Sequence, residues 1–256
     1  MKYIFFGGQE SPFAQIILDG LKSADWQPLA EIRNAKKSLN ISYLKSLGAD
    51  FFLVASFGAI LKKEILNIKP IIGVHPSLLP RLRGPSPIQS AILNDEKETG
   101  ATLFLIDEKV DHGPILSNVK CQMTKEDTYA TLLEKLANLS MNLISDTIPK
   151  WLNGKITPKI QDESAATYTK KFITEDAFAD LKKDNPKLIW LKTKALNPEP
   201  GAWTIVKLKN GRSLRLKLLE ADFINNQLQL RIVQPEGKKP MSYKAFLNGY
   251  LLPFVK

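Results

Sequence analysis

The chain has 256 residues, of which 44% are hydrophobic and 24% charged, with a net charge of +10; these values are typical of a globular protein with one large domain or two smaller ones and favour an anionic partner. No apolar stretch approaches the ~18 residues that a membrane-spanning helix needs, and the apolar run that opens the chain is too short for the core of a signal peptide. The single cysteine, Cys121, excludes an internal disulfide, so we expect a cytoplasmic protein without a membrane partner.

The first part of the chain alternates between short apolar or β-branched runs and segments with helical periodicity. Strands are predicted at 3–7, 28–32, 50–56, 71–75 and 101–106. Helices are predicted between them at 11–23, 42–48, 58–66 and 86–95, followed by a long amphipathic helix at 127–154. Strands that alternate with helices indicate βαβ units, and therefore an α/β, Rossmann-like domain whose mostly parallel sheet has helices on both faces.

The second part of the chain has a different pattern. Residues 161–174 are polar and aperiodic, which predicts a linker between a domain at 1–160 and a second domain at 175–256. One or two helices are predicted over 175–183 and 186–197, and strands are predicted at 202–208, 213–223 and 227–233. Because the turn pairs Asn210-Gly211 and Asn225-Asn226 separate these strands, we expect a small antiparallel sheet or barrel.

The positive charge is concentrated in this second part. Residues 165–256 carry 17 Lys and Arg against 8 Asp and Glu, whereas residues 1–164 carry 19 against 18. A basic region joined to a nearly neutral one favours binding to a polyanion through its phosphates. A basic surface that serves only solubility is the alternative.

Both histidines of the chain lie in turns rich in Gly and Pro. His75 ends one predicted strand, and Asp111 and His112 follow the next. Because ligands bind at the carboxyl edge of an open α/β sheet, the two turns can face one crevice, where an imidazole beside a carboxylate can transfer protons. A purely structural histidine is the alternative. One Cys and two His fit no standard zinc spacing, so we expect no metal.

The loop that follows His75 is unusually stiff. It contains Gly84 and four prolines, Pro76, Pro80, Pro85 and Pro87. Such a loop has few conformations to lose, so it can present backbone amides to a planar ligand with a small entropic penalty.

These residues carry a resemblance to a known family. The stretch HPSLLPRLRGPSPIQSAILNDEKETGATLFLIDEKVDHGPIL, at 75–116, resembles the signature region of folate-dependent formyltransferases, and among them the methionyl-tRNA formyltransferases. QDESAATYTKK at 161–171 and NPEPGAW at 197–203 resemble the segments that lead into the C-terminal domain of those enzymes. PEGKKPMSYKAFLNGY at 235–250 resembles their C-terminal end.

The resemblance implies a formyltransferase fold followed by an OB-like β-barrel. It also implies transfer of the formyl group of 10-formyltetrahydrofolate, as co-substrate, to the α-amine of methionine on initiator tRNA for translation initiation. By motif position, His75 is the implied proton-transfer residue and Asp111 its partner. The implied folate-site residues are Ser77, Leu78, Leu79 and Pro80, with the turn at 56–61 as another wall. We expect a monomer.

The residues that contact tRNA are expected in two places. Between residues 28 and 50, where the family has a long basic loop, this chain has a short stretch with Arg33, Lys36 and Lys37. In the basic C-terminal domain the candidates are Lys209, Arg212 and Arg215.

One catalytic position departs from the family pattern. The family has an Asn two residues before the histidine, and its amide donates to the formyl oxygen; here that residue is Gly73. Loss of one such donor typically lowers the rate by about 10²–10³. Side chains alternate along a strand, so residue 73 shares a side with His75, and we expect Gly73→Asn to restore the donor. Two alternatives remain, an amino-sugar-nucleotide formyltransferase and a folate- or RNA-binding homologue with impaired catalysis.

Overall fold

A computed structural model describes residues 1–34 and 39–250 of the protein. The chain divides into two units. The first comprises residues 1–88, 96–126 and 130–170, and the second comprises residues 89–95, 127–129 and 171–256. The helices are α1 (Pro12–Ser23), α2 (Ile41–Ser46), α3 (Lys63–Leu66), α4 (Pro87–Leu93), α5 (Tyr129–Leu152), α6 (Pro186–Ala195) and α7 (Tyr243–Gly249).

The first unit is a mixed α/β structure built on a mostly parallel sheet. Its strands are β1 (Tyr3–Gly7), β2 (Ala30–Ile32), β3 (Phe51–Ala55), β4 (Ile71–His75), β5 (Glu98–Leu105) and β6 (Ile115–Gln122). They form a 6-stranded sheet in the order β2-β1-β3-β4-β5-β6. The strands β1 to β4 are parallel, whereas β5 is antiparallel to β4 and β6 is antiparallel to β5.

Strands β1 and β3, in the middle of the sheet, consist of apolar and aromatic residues because both faces of the sheet are covered. All five residues of β1 are buried. On one face Phe6 packs against Phe52, with ring centroids 5.3 Å apart, and on the other Tyr3 stacks on Phe51 at 5.6 Å. Such unbroken apolar runs are typical of strands in the middle of an α/β sheet.

The carboxyl ends of three parallel strands lie along one edge of the sheet. Gly7 is paired with Ala55, and Ala55 with Val74. The next residues of these strands, Gly8, Ser56 and His75, therefore lie at the same edge. Gly8 N donates to Ser56 O at 3.0 Å, which joins two of the three loops.

The differences between the predicted and the observed elements include the strand β6 and the segment 175–183. Strand β6 was not predicted, because its alternating half-buried pattern contains polar residues such as Asn118 and Lys120. The helix predicted at 175–183 does not form. There, Asp180 Oδ1 accepts from Lys182 N and Asp184 Oδ2 accepts from Asp180 N, so side chains form the local bonds that a helix would need from the backbone.

The second unit contains an antiparallel sheet. Its strands are β7 (Trp203–Lys207), β8 (Ser213–Ile224), β9 (Gln227–Pro235) and β10 (Met241–Ser242), in the order β10-β9-β8-β7. The β8–β9 hairpin turns at Asn225 and Asn226, whose φ values of 51° and 61° suit a two-residue turn. In the range that the structure describes, these four strands form an open sheet.

Within the described residues, no helix has the length and apolar character needed to cross a membrane.

Candidate active site

The two residues predicted to transfer protons lie next to each other. His75 is buried at the end of β4, and its Nδ1 lies 3.5 Å from Asp111 Oδ2. The other ring nitrogen, Nε2, lies 2.9 Å from the carbonyl oxygen of Leu82. Because a carbonyl oxygen only accepts hydrogen bonds, Nε2 carries a proton and donates it to Leu82. Nδ1 is then the nitrogen that can gain or release a proton, and it faces the carboxylate.

The route by which Asp111 reaches His75 differs from the predicted one. Strand β5 is antiparallel to β4, and its last residue, Leu105, is paired with Ile72. The carboxyl end of β5 therefore lies beside the amino-terminal half of β4, about 10 Å from His75 at ~3.3 Å per residue. The loop after β5 has to return along the strand to bring Asp111 to the imidazole. The two side chains are therefore close, but not because they share a carboxyl edge of parallel strands.

Asp111 is held at this point by the loop that follows His75. Its Oδ2 accepts from Gly84 N at 2.7 Å, and its backbone has a φ of 48°, in the left-handed region. Leu82 O, the partner of His75, belongs to the same loop. One short segment of backbone thus contacts both members of the pair.

The predicted folate-site segment is a fixed loop. Thr102 Oγ1, fully buried on β5 opposite His75, donates to Ser77 O at 2.6 Å and accepts from Leu79 N at 3.2 Å. Ser77 Oγ is directed inward and donates to Arg81 O at 2.7 Å. Ser77 and Leu79 are buried, so of the four predicted residues only Leu78 and Pro80 have partly exposed side chains.

Gly73 faces a side chain rather than an open site. A Cβ at this position would lie 2.4 Å from Phe104 Cε1, 2.6 Å from Phe104 Cζ and 3.1 Å from Ile106 Cγ1. Phe104 is paired with Gly73 across β4 and β5 and is buried. The aromatic ring therefore fills the place where a longer side chain at residue 73 would begin.

The predicted tRNA-contacting residues are dispersed. Arg33 follows β2, and its Nη2 donates to Gln15 Oε1 at 2.7 Å and Gly8 O at 3.3 Å. Lys36 and Lys37 lie outside the described residues. In the second unit, Lys209 and Arg212 belong to the turn between β7 and β8. Arg215 lies on β8, where its guanidinium is 4.0 Å from the centre of the Trp203 ring.

Three polar residues beside the pair were missed by the sequence analysis. Arg83 has no exposed surface, and it binds Glu163 through two hydrogen bonds, of 2.6 and 3.0 Å. Gln161 Oε1 accepts from Arg83 Nη2 at 2.8 Å and from Nε at 3.1 Å. The hydrogen bond to Glu163 raises the pKa of the Arg83 guanidinium and, in return, lowers the pKa of the Glu163 carboxyl. Gln161 and Glu163 belong to the polar segment that begins at residue 161, which was interpreted as a linker, whereas Arg83 belongs to the loop that follows His75.

Comparisons with known proteins agree with the geometry. Residues 6–148 match the family described as formyl transferase. A methionyl-tRNA formyltransferase from Dictyoglomus turgidum is 37% identical over 238 residues, covering 82% of this chain and 74% of the relative.

Two solved structures share the fold. A methionyl-tRNA formyltransferase from Clostridium thermocellum has a TM-score of 0.68 at 20% identity and covers 94% of this chain and 100% of its own. HypX from Aquifex aeolicus in complex with tetrahydrofolic acid has a TM-score of 0.77 at 16% identity and covers 96% of this chain and 47% of its own. From the family match and the relative at 37% identity, we conclude that the chain belongs to the formyl transferase family, as a homologue of the methionyl-tRNA formyltransferases.

Proposed function

We propose that the protein transfers a formyl group from 10-formyltetrahydrofolate to the α-amine of methionine on initiator tRNA, the reaction that prepares this tRNA for translation initiation. The observation that carries the proposal is the His75 imidazole, with Nε2 bound to Leu82 O and Nδ1 turned toward Asp111. The relatives at 35–37% identity are methionyl-tRNA formyltransferases, which supports this acceptor over an amino sugar.

For this reaction the protein has to orient the two substrates and transfer a proton. An α-amine has a pKa of about 8, so part of it is neutral and nucleophilic near pH 7. The bound folate supplies the formyl group. When the amine attacks, it must lose a proton, and His75 Nδ1 is the acceptor. The carboxylate of Asp111, 3.5 Å away, then stabilises the imidazolium. As the new amide bond forms, the bond between the formyl carbon and N10 of the folate breaks, and the His75 imidazolium returns this proton to N10. This distance exceeds an ordinary hydrogen bond, and such contacts often shorten when substrates bind.

The folate site is proposed at the loop that follows His75. Ser77, Leu78, Leu79 and Pro80 form this wall, and the turn at 56–61 forms another. Thr102 holds the first wall through two hydrogen bonds, so little conformational entropy is lost when a planar ring binds against it. On the second wall, the side chain of Ile60 is 83% exposed and offers apolar surface.

We propose tRNA binding by the second unit, with 1–160 as catalytic domain, 161–174 as linker and 175–256 as OB-like domain. In its sheet, the half-buried Arg215 lies against the half-buried Trp203 on the neighbouring strand. Lys209 and Arg212 extend the positive charge into the adjoining turn. Cationic and aromatic side chains on one face suit phosphates and exposed bases. In the first unit, Arg33 follows β2, and together with Lys36 and Lys37, which lie outside the described residues, it is proposed as a further basic contact.

We also propose that the protein acts as a monomer in the cytoplasm. The single cysteine, Cys121, is a buried thiol, and a chain without an internal disulfide suits a reducing compartment.

A direct test is incubation of the purified protein with 10-formyltetrahydrofolate and methionyl-tRNA, followed by acid gel separation of formylmethionyl-tRNA. We expect transfer that disappears in His75→Ala. An amino-sugar nucleotide is supplied in parallel, and faster transfer to it would refute the proposed acceptor. Binding of tRNA without transfer to either acceptor would instead indicate the catalytically impaired homologue.

The tRNA interface is tested by the salt dependence of binding. Neutralising Lys209, Arg212 and Arg215 together should reduce the slope of log K against log salt by about 2–3, roughly one for each phosphate that the protein no longer neutralises. The matched control is neutralisation of Lys22, Lys63 and Lys120, whose ion pairs lie in the first unit. Equal slopes for the two triple variants would contradict the proposed interface.

A further inference from the structure

We infer that Gln161 is a positioning residue for the His75–Asp111 pair. Gln161 connects the backbone segments 82–84 and 111–113, which hold the pair in place. The inference rests on the proposed function and adds a residue from the segment predicted to be a linker. Gln161 touches neither reacting group itself, so its effect on the reaction is transmitted through Asp111.

The amide nitrogen of Gln161 binds the backbone on both sides of His112. Nε2 donates to Asp111 O at 2.9 Å and to Gly113 O at 2.8 Å. Asp111 has a φ of 48°, in the left-handed region that residues with a side chain adopt infrequently, although Asp is among those that tolerate it best. The two hydrogen bonds from the buried Gln161 amide hold the backbone of Asp111 and Gly113 in this conformation. They fix the peptide groups from which the Asp111 carboxylate projects toward His75.

The amide oxygen of Gln161 binds the other segment through a side chain. Oε1 accepts from Nε and Nη2 of Arg83. Because a guanidinium only donates and a carbonyl oxygen only accepts, the orientation of the Gln161 amide is determined by its partners. Arg83 is itself fixed, since Glu163 binds the far side of its guanidinium with two hydrogen bonds.

The residues on either side of Arg83 are those that contact the pair. Leu82 O accepts from His75 Nε2, and Gly84 N donates to Asp111 Oδ2. Gln161 therefore links a three-residue segment that binds both members of the pair to a second segment that contains Asp111. A small displacement of either segment changes the separation of Nδ1 and Oδ2, and proton transfer is sensitive to that separation.

Two substitutions at Gln161 separate its contacts. Gln161→Met removes the donor and the acceptor at nearly constant length. Gln161→Glu keeps an acceptor for Arg83 but turns a carboxylate oxygen toward the carbonyls of Asp111 and Gly113, which repel it. We expect each variant to lower kcat by about tenfold or more and to change KM for folate by less than about twofold, because orientation rather than binding is lost.

The control for general loss of stability is Ser140→Ala on α5. Ser140 is fully buried and its Oγ donates to Leu136 O at 2.7 Å, so this variant also loses a buried hydrogen bond to a carbonyl. We expect a lower Tm, by about 2–8 °C, in Ser140→Ala and Gln161→Met alike, but an unchanged kcat in Ser140→Ala only.

A double-mutant cycle tests whether Gln161 acts through Asp111. In an Asp111→Ala background, Gln161→Met should lower kcat by less than about twofold, because the group it positions is already absent. A full further loss of about tenfold would overturn the inference, as would Gln161→Met and Gln161→Glu variants with near-normal kcat.

Hydrogen exchange provides a readout that does not depend on activity. The Gly84 amide is protected by Asp111 Oδ2, so its exchange rate should rise about tenfold or more in Gln161→Met and stay constant in Ser140→Ala. Unchanged exchange at Gly84 in Gln161→Met would refute the positioning role. If the wild-type protein transfers no formyl group, the proposed function fails, and this exchange measurement still decides whether Gln161 holds Asp111.

Discussion

Restoring the missing amide at residue 73 requires a second substitution. The family pattern alone suggests that Gly73→Asn should return a donor for the formyl oxygen. The structure opposes this single change, because the new Cβ would lie 2.4 and 2.6 Å from two atoms of the buried Phe104 ring. Real Cβ atoms do not approach other heavy atoms so closely, so the ring must move or the strand must shift.

The size of the effect follows from this overlap. Overpacking of a buried site costs about 1–3 kcal/mol, and an amide buried against a ring without a partner adds about 1–3 kcal/mol. We expect Gly73→Asn to lower the free energy of unfolding by at least about 2 kcal/mol, a fall in Tm of about 4–8 °C. Turnover should not rise, because the Asn side chain has no room to reach the site.

Phe104→Leu removes the two ring atoms that overlap, Cε1 and Cζ, while an apolar side chain remains. Alone it leaves a small cavity and costs about 1–2 kcal/mol. Combined with Gly73→Asn, it should recover about 1–2 kcal/mol relative to the sum of the single changes, because the two residues share one volume. With room for the amide, turnover should exceed that of Phe104→Leu by about tenfold, less than the usual value of such a donor because Ile106 still borders the site.

The assays are urea unfolding of all four proteins and initial rates of formyl transfer. If Gly73→Asn is as stable as the wild type, the overlap does not control this position. If the double variant loses as much free energy of unfolding as the two single variants together, Phe104 is not the residue that excludes Asn. A double variant that is stable but no faster than Phe104→Leu would show that the oxygen is stabilised by another group.

Three further changes test other parts of the site. His75→Ala and Asp111→Ala should each reduce the rate of formyl transfer in single-turnover measurements by about 10² or more, and the double variant should be little slower than either single variant. If the rate losses of the two single variants multiply in the double variant, the two residues do not share one role. Thr102→Val, which removes both hydrogen bonds to the loop at 77–79, should raise KM for folate about tenfold, whereas Thr102→Ser keeps the hydroxyl and should stay within about twofold. Arg83 lowers the pKa of the Glu163 carboxyl in the folded protein. Ionised Glu163 therefore stabilises the fold at pH values above about 4.3, the pKa of Glu in the unfolded chain. This stabilisation is lost as the pH falls through the lower pKa of the folded protein. Urea unfolding of Glu163→Gln should therefore show a weaker loss of stability below about pH 4 than the wild type, and identical pH profiles would rule out this contribution.

The strands β1 to β5 of the first unit could be predicted because their signal is local. A run such as that at 71–75 is apolar at successive positions since both of its faces are covered, and the observed β4 has the same bounds. The hairpin of the second unit was predictable for a similar reason, because Asn225 and Asn226 tolerate positive φ values. In each case the residues themselves carry the physical cause of the structure.

The remaining features depend on contacts between distant parts of the chain. The direction of β5 is set by its partners, and nothing within residues 98–105 distinguishes a parallel from an antiparallel strand. Gln161 belongs to a polar, aperiodic segment whose hydrogen bonds are made to Arg83 and to the loop after β5. A segment with no periodicity of its own can be interpreted as a linker, although here it borders the site.

The polar network beside the pair bears on whether Gly73 indicates lost catalysis. A fully buried guanidinium loses its hydration, and replacement of such an ion pair by apolar residues is often neutral or stabilising, so stability alone does not call for one. Arg83 is nevertheless buried and bound by Gln161, Glu163 and Tyr168, directly beside the residues that hold His75 and Asp111. Because the residues that hold His75 and Asp111 are bound by a buried guanidinium and its partners, we infer that the change at residue 73 reflects a different means of stabilising the formyl oxygen rather than loss of the reaction.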